Sequence, residues 1–207
     1  MLDQIIIALL IGYFFGSIQP AYFISKIVAK MDIREHGTGN AGASNITAIM
    51  GWKYGFIVAF IDVLKAMLAV LVVKWIYPHS PDLAYLAGIM AILGHLFPFY
   101  MNFRGGKGVA ALAGMMLGIN WKLGILFMLL VALPALLADY IVVGSLTAFI
   151  ALPIVTYSLK YPTTLILIGA FMTLLVFYLH RGNIKRIINK EELRISTVIK
   201  RKKSERD

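Results

Sequence analysis

The sequence predicts an all-α polytopic membrane protein with about seven transmembrane helices, the N-terminus outside and the C-terminus in the cytoplasm. Three observations predict it. Hydrophobic residues make up 60% of the 207 residues and charged residues 14%, with a mean hydropathy of +0.82; a soluble domain is about 45–50% apolar. The apolar runs recur at lengths suited to a hydrocarbon layer about 30 Å thick. Sixteen of the twenty Lys and Arg residues fall where that alternation puts a single face of the membrane, as the excess of cations in cytoplasmic loops requires.

Taken in order, the first span covers about 4–25. It lacks a basic start, and Ile5 to Ile24 is too long an apolar run for a cleaved signal. The next spans are 54–77 and 83–100. The fourth, 108–119, is short, so it is expected to begin inside the Arg104–Lys107 loop or to be buried among its neighbours. The last three are 121–138, 141–158 and 163–180. Six spans is the alternative, because only Asn120, Trp121 and Lys122 interrupt 108–138. No repeat, long linker or second domain is visible, so 1–207 reads as one integral membrane domain with a basic tail from about 181.

Orientation follows from the cations. Lys26, Lys30, Arg34 and Lys53 follow the first span, Arg104 and Lys107 follow the third, and ten more follow His180. The other face holds only Lys74, Lys122 and Lys160, with Lys65 inside a span. The tail mixes its cations with Glu191, Glu192, Ile187, Ile188, Leu193 and Ile195. That mixture suits a helix lying on anionic headgroups. The net charge of +10 therefore belongs to topology, and no nucleic-acid partner is expected. There are no cysteines, and His36, His79, His95 and His180 lie outside helical reach of one another. Neither disulfides nor a metal or cofactor is called for.

Two glycine-rich segments interrupt the apolar pattern on the expected cytoplasmic face. In the first, Gly37, Gly39 and Gly42 allow turns with positive φ, and Thr38, Asn40, Ser44 and Asn45 add uncharged polar groups. Consecutive amides there suit an anion nest; a tight turn for close helix packing is the plainer alternative. In the second, Arg104-Gly105-Gly106-Lys107-Gly108 presents a lysine directly before a helix. Amides, a positive helix end and a point cation together suit phosphate. It is not a Walker A loop, since Gly108 stands where Ser or Thr is required. Topological anchoring is the plainer reading of Arg104 and Lys107.

Polar groups inside spans add a third signal. Asp62 and Lys65 lie three apart on one helix face and suit an intramembrane pair. His95, near a span end, suits a cap or a snorkelling side chain. His180 and Asn183 share a face where the last span meets the cytosol. Asp139, at a turn, has no assigned role.

Together these residues carry a resemblance. Gly94-His95-Leu96-Phe97-Pro98 followed by Phe103-Arg104-Gly105-Gly106-Lys107-Gly108-Val109-Ala110 resembles the central motif of the bacterial acyl-phosphate:glycerol-3-phosphate acyltransferase family. Gly37 to Asn45 resembles its GSGNxGATN loop; Gly16-Ser17-Ile18 with Ala21 and Tyr22 resembles its first-span motif. Asp62 and Lys65 resemble its DxxK pair, and His180-Arg181-x-Asn183-Ile184 its HRxNI. The matches run in order from 16 to about 192.

The resemblance implies a seven-span enzyme of the bacterial inner membrane with its active site facing the cytoplasm. It would move a fatty acyl group from acyl phosphate to the 1-hydroxyl of glycerol 3-phosphate, giving lysophosphatidate and phosphate, as a monomer in the lipid bilayer. By resemblance the catalytic residues are Lys107, His180 and Asn183. Substrate is held by Gly37, Thr38, Gly39, Asn40, Gly42, Ser44, Asn45, Arg104, Gly105, Gly106 and Gly108. Ser17, Asp62, Lys65 and His95 support the site. The proton of the acceptor would leave through His180 or a substrate phosphate. No Ser-His-Asp order is visible, so no acyl-enzyme is indicated.

The chain also departs from the family. Ala48 stands where the family usually has arginine, and Val142 where it has serine. Both remove groups on the glycerol-phosphate side, so a paralogue with another acyl acceptor is an alternative. A transporter of a phosphorylated metabolite is another, although no repeated pair of broken helices is visible.

Overall fold

The computed structural model describes residues 1–197, and Lys200, Arg201, Lys202, Lys203 and Arg206 of the predicted tail lie outside them. The described residues are helical throughout their regular structure. They form two compact units, one of residues 1–125 and one beginning at 126, and the boundary falls within helix α7, Trp121–Ala138.

The first unit holds α1 (Leu2–Ser17), α2 (Pro20–Val28), α3 (Ala43–Met50), α4 (Trp52–Ile76), α5 (Pro81–Leu96) and α6 (Val109–Ile119). Helix α1 packs on α5 and α4, and α4 packs on α5 and α6. Small residues make this possible. Ala8, Gly12 and Gly16 recur every fourth position of α1 and are buried. A Cβ at Gly12 would lie 2.2 Å from the carbonyl oxygen of Ala87, and one at Gly16 would lie 2.1 Å from that of Ala91. In lipid, where apolar contact alone gives helices little reason to associate, such close backbone approach supplies the packing.

The first span is broken, and the break has identifiable partners. Ile18 and Gln19 are non-helical before Pro20 starts α2, so carbonyls there lose their helical donors. The Ser17 carbonyl accepts from Tyr100 Oη at 2.7 Å, and the Ile18 carbonyl accepts from Lys65 Nζ. The proline the sequence placed in the first span thus marks a turn between two half-helices rather than the middle of one.

The second unit holds α8 (Ile141–Ser158), α9 (Thr163–Leu179) and α10 (Arg181–Ile188), with α8 packed on α9. Thr173 Oγ1 donates to the Phe149 carbonyl at 2.6 Å, a polar link between two apolar helices. Helices α9 and α10 meet at a 52° bend.

Apolar side chains face outward along these helices: Phe14 is 68% exposed, Phe56 67% and Leu137 89%. Water would penalise that surface and hydrocarbon does not. Among the described residues, five helical segments are long and apolar enough to cross a membrane: Leu2–Val28, Trp52–Ile76, Pro81–Met101, Trp121–Ala138 and Ile141–Ser158; the bent α9–α10 pair makes a sixth if it is one span. Helix α6 has only 11 residues and reaches about 16 Å, so it falls short of crossing unaided.

Candidate active site

The two glycine-rich loops meet in the first unit. The Ala41 amide donates to the Gly105 carbonyl at 3.1 Å. Arg34 Nη1 donates to the Met101 carbonyl at 2.7 Å, while its Nε and Nη2 donate to Asp32 Oδ1 and Oδ2 at 3.0 and 2.7 Å. Asp32 also accepts from the Arg34 amide and so caps the short 3₁₀ turn Ile33–Glu35. The guanidinium lies over the Tyr22 ring at 5.3 Å. This clamp was not singled out in the sequence; Asp-x-Arg before a glycine run is its only signal.

The clamp has a pH signature. Hydrogen bonds from the Arg34 side chain pull the Asp32 carboxyl from 3.8 down to about 2, against the opposing effect of burial. A carboxyl depressed on folding contributes stability that is full above its unfolded value and lost as pH falls through the folded one. The loop junction is therefore expected to hold at neutral pH and loosen as pH falls from 3.8 through about 2. Asp32→Asn should remove that acid limb from the thermal midpoint measured in detergent; an unchanged limb contradicts the assignment.

Asn45 builds the first loop from inside. It is fully buried at the start of α3. Its Nδ2 donates to the carbonyls of Ile33 (3.0 Å), His36 (3.0 Å) and Asn40 (2.9 Å), and its Oδ1 accepts from the Thr38 amide at 2.8 Å. A side-chain amide has two donor hydrogens and one acceptor oxygen, so the three carbonyls share the two hydrogens and Asn45 is engaged in shaping the loop. Gly37 adopts φ +59°, and a Cβ there would lie 2.3 Å from Asn45 Oδ1. Only glycine fits. Asn40 Nδ2 donates to Thr38 Oγ1 at 2.7 Å, and both lie toward the surface with Ser44.

The second loop differs from expectation in one respect. The Gly105 and Gly106 amides were expected to face an anion. Instead they donate to the Leu96 and His95 carbonyls, each at 3.0 Å. The reason is the end of α5, whose last carbonyls lack helical donors and take these amides as a cap. What the loop presents beyond them is Lys107, half-buried, and the start of α6, whose N-cap Gly108 has φ +81°. The first amides of a helix have no partner within it and carry its positive end. Arg104 is exposed.

Beneath the loop lies a buried polar cluster. Asp62 Oδ1 and Lys65 Nζ are 2.7 Å apart, with side chains 1% and 2% exposed. His95 Nδ1 lies 2.9 Å from Lys65 Nζ and 3.2 Å from Asp62 Oδ1. His95 therefore neither caps a helix nor snorkels; it is an interior member of a charge cluster. Gln19 Nε2 donates to the His95 carbonyl at 3.0 Å. Ser17 Oγ turns back to the Tyr13 carbonyl at 2.7 Å.

The second unit supplies the other predicted residues. His180 is buried at the α9–α10 bend, its Nδ1 2.9 Å from the Val176 carbonyl. A carbonyl only accepts, so Nδ1 carries a proton and donates it to that carbonyl. Asn183 Nδ2 donates to Glu192 Oε1 at 2.7 Å, and Glu192 Oε2 accepts from Arg186 Nε at 2.7 Å. Glu192 is thus the buried partner of Asn183, which the sequence left among tail charges. Asp139 has an anchoring role: it accepts from the Ser196 amide at 2.8 Å and from Ser196 Oγ at 2.6 Å. Of the departures from the family, Ala48 is exposed on α3 and Val142 is buried on α8. Among the described residues no group of three or more His, Asp and Glu could hold a metal ion.

The sequence model of the glycerol-3-phosphate acyltransferase family matches residues 6–190. Glycerol-3-phosphate acyltransferase 1 of Oceanobacillus iheyensis is 35% identical, over 96% of this chain and 99% of its own. The glycerol-3-phosphate acyltransferase of Brucella anthropi is 38% identical, over 91% and 92%. Among solved structures, the crystal structure of PlsY (YgiH), an integral membrane glycerol 3-phosphate acyltransferase, in its glycerol 3-phosphate form superposes with a TM-score of 0.83 at 29% identity, covering 92% of this chain and 95% of that one. Its lysophosphatidic acid form gives 0.79, covering 92% and 94%.

Proposed function

The chain belongs to the glycerol-3-phosphate acyltransferase family and is an integral membrane acyltransferase; from that premise we propose that it transfers a fatty acyl group from acyl phosphate to the 1-hydroxyl of glycerol 3-phosphate, releasing phosphate and lysophosphatidate. The observation that carries the donor is the lysine loop: a half-buried cation at a helix start, with the two glycine-rich loops tied together beside it. The glycerol 3-phosphate and lysophosphatidic acid forms of the solved relative support the acceptor and product.

The chemistry asks little of the protein. Acyl phosphate is a mixed anhydride whose phosphate already leaves readily. Positioning and neutralisation of charge are the main needs. Lys107 is assigned to the donor phosphate, with Thr38, Asn40, Ser44, Arg104 and the loop glycines 37, 39, 42 and 108 lining the phosphate-binding surface. Asn45, Gly105 and Gly106 hold the loops in shape. His180 is assigned to receive the acceptor's proton at Nε2, and Asn183 to orient the acceptor. Apolar helices take the acyl tail.

The wider reading follows. Residues 1–207 act as one acyltransferase domain, supported by a family match that runs through both units. Helix α6 is the short fourth of seven crossings, the N-terminus is outside, and both loops face the cytoplasm of a bacterial inner membrane, where the cations cluster. The protein acts as a monomer. The donor is tested by offering palmitoyl phosphate or palmitoyl-coenzyme A to purified protein with glycerol 3-phosphate and detecting lysophosphatidate by mass spectrometry. Product from the phosphate alone is expected; equal use of the thioester contradicts the donor assignment.

A further inference from the structure

We infer that His95 is a positioning residue for the lysine loop, held by the Asp62–Lys65 pair, and that residue 106 is glycine because the His95 imidazole lies against it. The inference rests on the reading of Lys107 as the donor-phosphate cation.

Three contacts carry it. First, the His95 carbonyl accepts from the Gly106 amide at 3.0 Å, one residue before Lys107. Second, the ring itself forms the floor: a Cβ at Gly106 would lie 2.1 Å from His95 Nε2, 2.7 Å from Cε1 and 3.1 Å from Cδ2. Third, the ring is restrained from swinging away, because Nδ1 has a partner in either tautomer: bare, it accepts from Lys65 Nζ at 2.9 Å; protonated, it donates to Asp62 Oδ1 at 3.2 Å. Lys65 is itself fixed to the Ile18 carbonyl at the break in the first span, and Gln19 of that break donates to the His95 carbonyl.

One imidazole therefore joins the broken first span, the charge pair of α4 and the backbone that presents Lys107. A lysine side chain has four rotatable bonds and orients a phosphate only as well as its backbone is fixed. Non-helical backbone within a membrane protein persists only where protein buries it, and the cluster provides that burial. Gly106 has no left-handed φ, so the requirement for glycine there is steric and comes from His95.

The steric origin makes the inference testable by compensation. Asparagine at 95 retains a polar atom near the Nδ1 position for Lys65 and Asp62 while lacking the ring atoms under residue 106. Gly106→Ala, His95→Asn and the double variant are purified in detergent. Phosphate release from palmitoyl phosphate with glycerol 3-phosphate is measured, along with backbone hydrogen exchange of 103–112. Gly106→Ala alone is expected to lower kcat/KM for palmitoyl phosphate about 100-fold, the scale of a misplaced reacting group, chiefly through KM. His95→Asn is expected to speed exchange at 103–112 with exchange in α4 unchanged. The double variant should recover about tenfold over Gly106→Ala.

A folded double variant no more active than Gly106→Ala, or His95→Asn exchange matching the native protein, overturns the inference. If the native protein releases no phosphate, the functional reading fails instead. Hydrogen exchange then decides the positioning role alone: faster exchange in His95→Asn supports it, and unchanged exchange overturns it.

Discussion

Replacing Lys107 with alanine is expected to reduce acceptor-dependent acyl transfer by about 100- to 1,000-fold, the usual cost of removing one group that stabilises developing charge. The physical reason is that phosphate leaves an acyl phosphate as a dianion or monoanion, and Lys107 is the half-buried cation at the head of α6. The loop backbone should survive the change, because its shape is set by the Gly105 and Gly106 amides on the α5 carbonyls and by the Ala41–Gly105 bond. The thermal midpoint in detergent should therefore stay near that of the native protein. Lys107→Arg should restore only part of the rate, since a planar guanidinium replaces a compact ammonium. Full activity in Lys107→Ala contradicts the donor assignment.

The second large effect is on stability. Asp62→Ala removes the carboxylate from a site where Lys65 and His95 are each 3% exposed. Leaving a buried charge without its partner costs about 3–5 kcal/mol. The Lys65 ammonium would still face the Ile18 carbonyl, but a neutral acceptor does not replace an anion. Asp62→Leu combined with Lys65→Met removes both charges and should be less harmful than Asp62→Ala alone, because a buried pair replaced by apolar side chains of similar volume is often tolerated. Thermal unfolding of the three proteins in detergent orders them. A single variant as stable as the native protein contradicts the account of the cluster.

Much of this architecture was legible in the chain because lipid constrains it so tightly. Apolar runs of span length and a one-sided distribution of cations leave few alternatives to stacked membrane helices. The short fourth element was visible as well: the 11 residues of α6 begin directly after Gly108, where the glycine run ends. The break at Ile18–Gln19 was less legible, since Pro20 in an apolar run reads equally as a kink within one helix. Its resolution needs residues distant in sequence, Tyr100 and Lys65, to take the freed carbonyls.

The same distance in sequence hid parts of the candidate site. Asp62 and Lys65 announced themselves by spacing, but nothing in the spacing placed His95 between them and Gly106. Asn45 looked like one more polar group in a polar loop, whereas its amide is what folds that loop. Gly105 and Gly106 looked like exposed amides because a glycine run advertises freedom, not partners. Asp32 with Arg34 and Asn183 with Glu192 were missed because charges in basic segments are ordinarily solvated. In each case the group is committed to backbone or to a charge at a spacing that hydrophobic periodicity does not mark.

The most direct test of the central claim is release of inorganic phosphate from palmitoyl phosphate by the purified protein, with and without glycerol 3-phosphate. The account predicts phosphate and lysophosphatidate in equal amounts, formed only when the acceptor is present, with Ala48 and Val142 tolerated. Release that ignores glycerol 3-phosphate, or no release at all from folded protein, would contradict it.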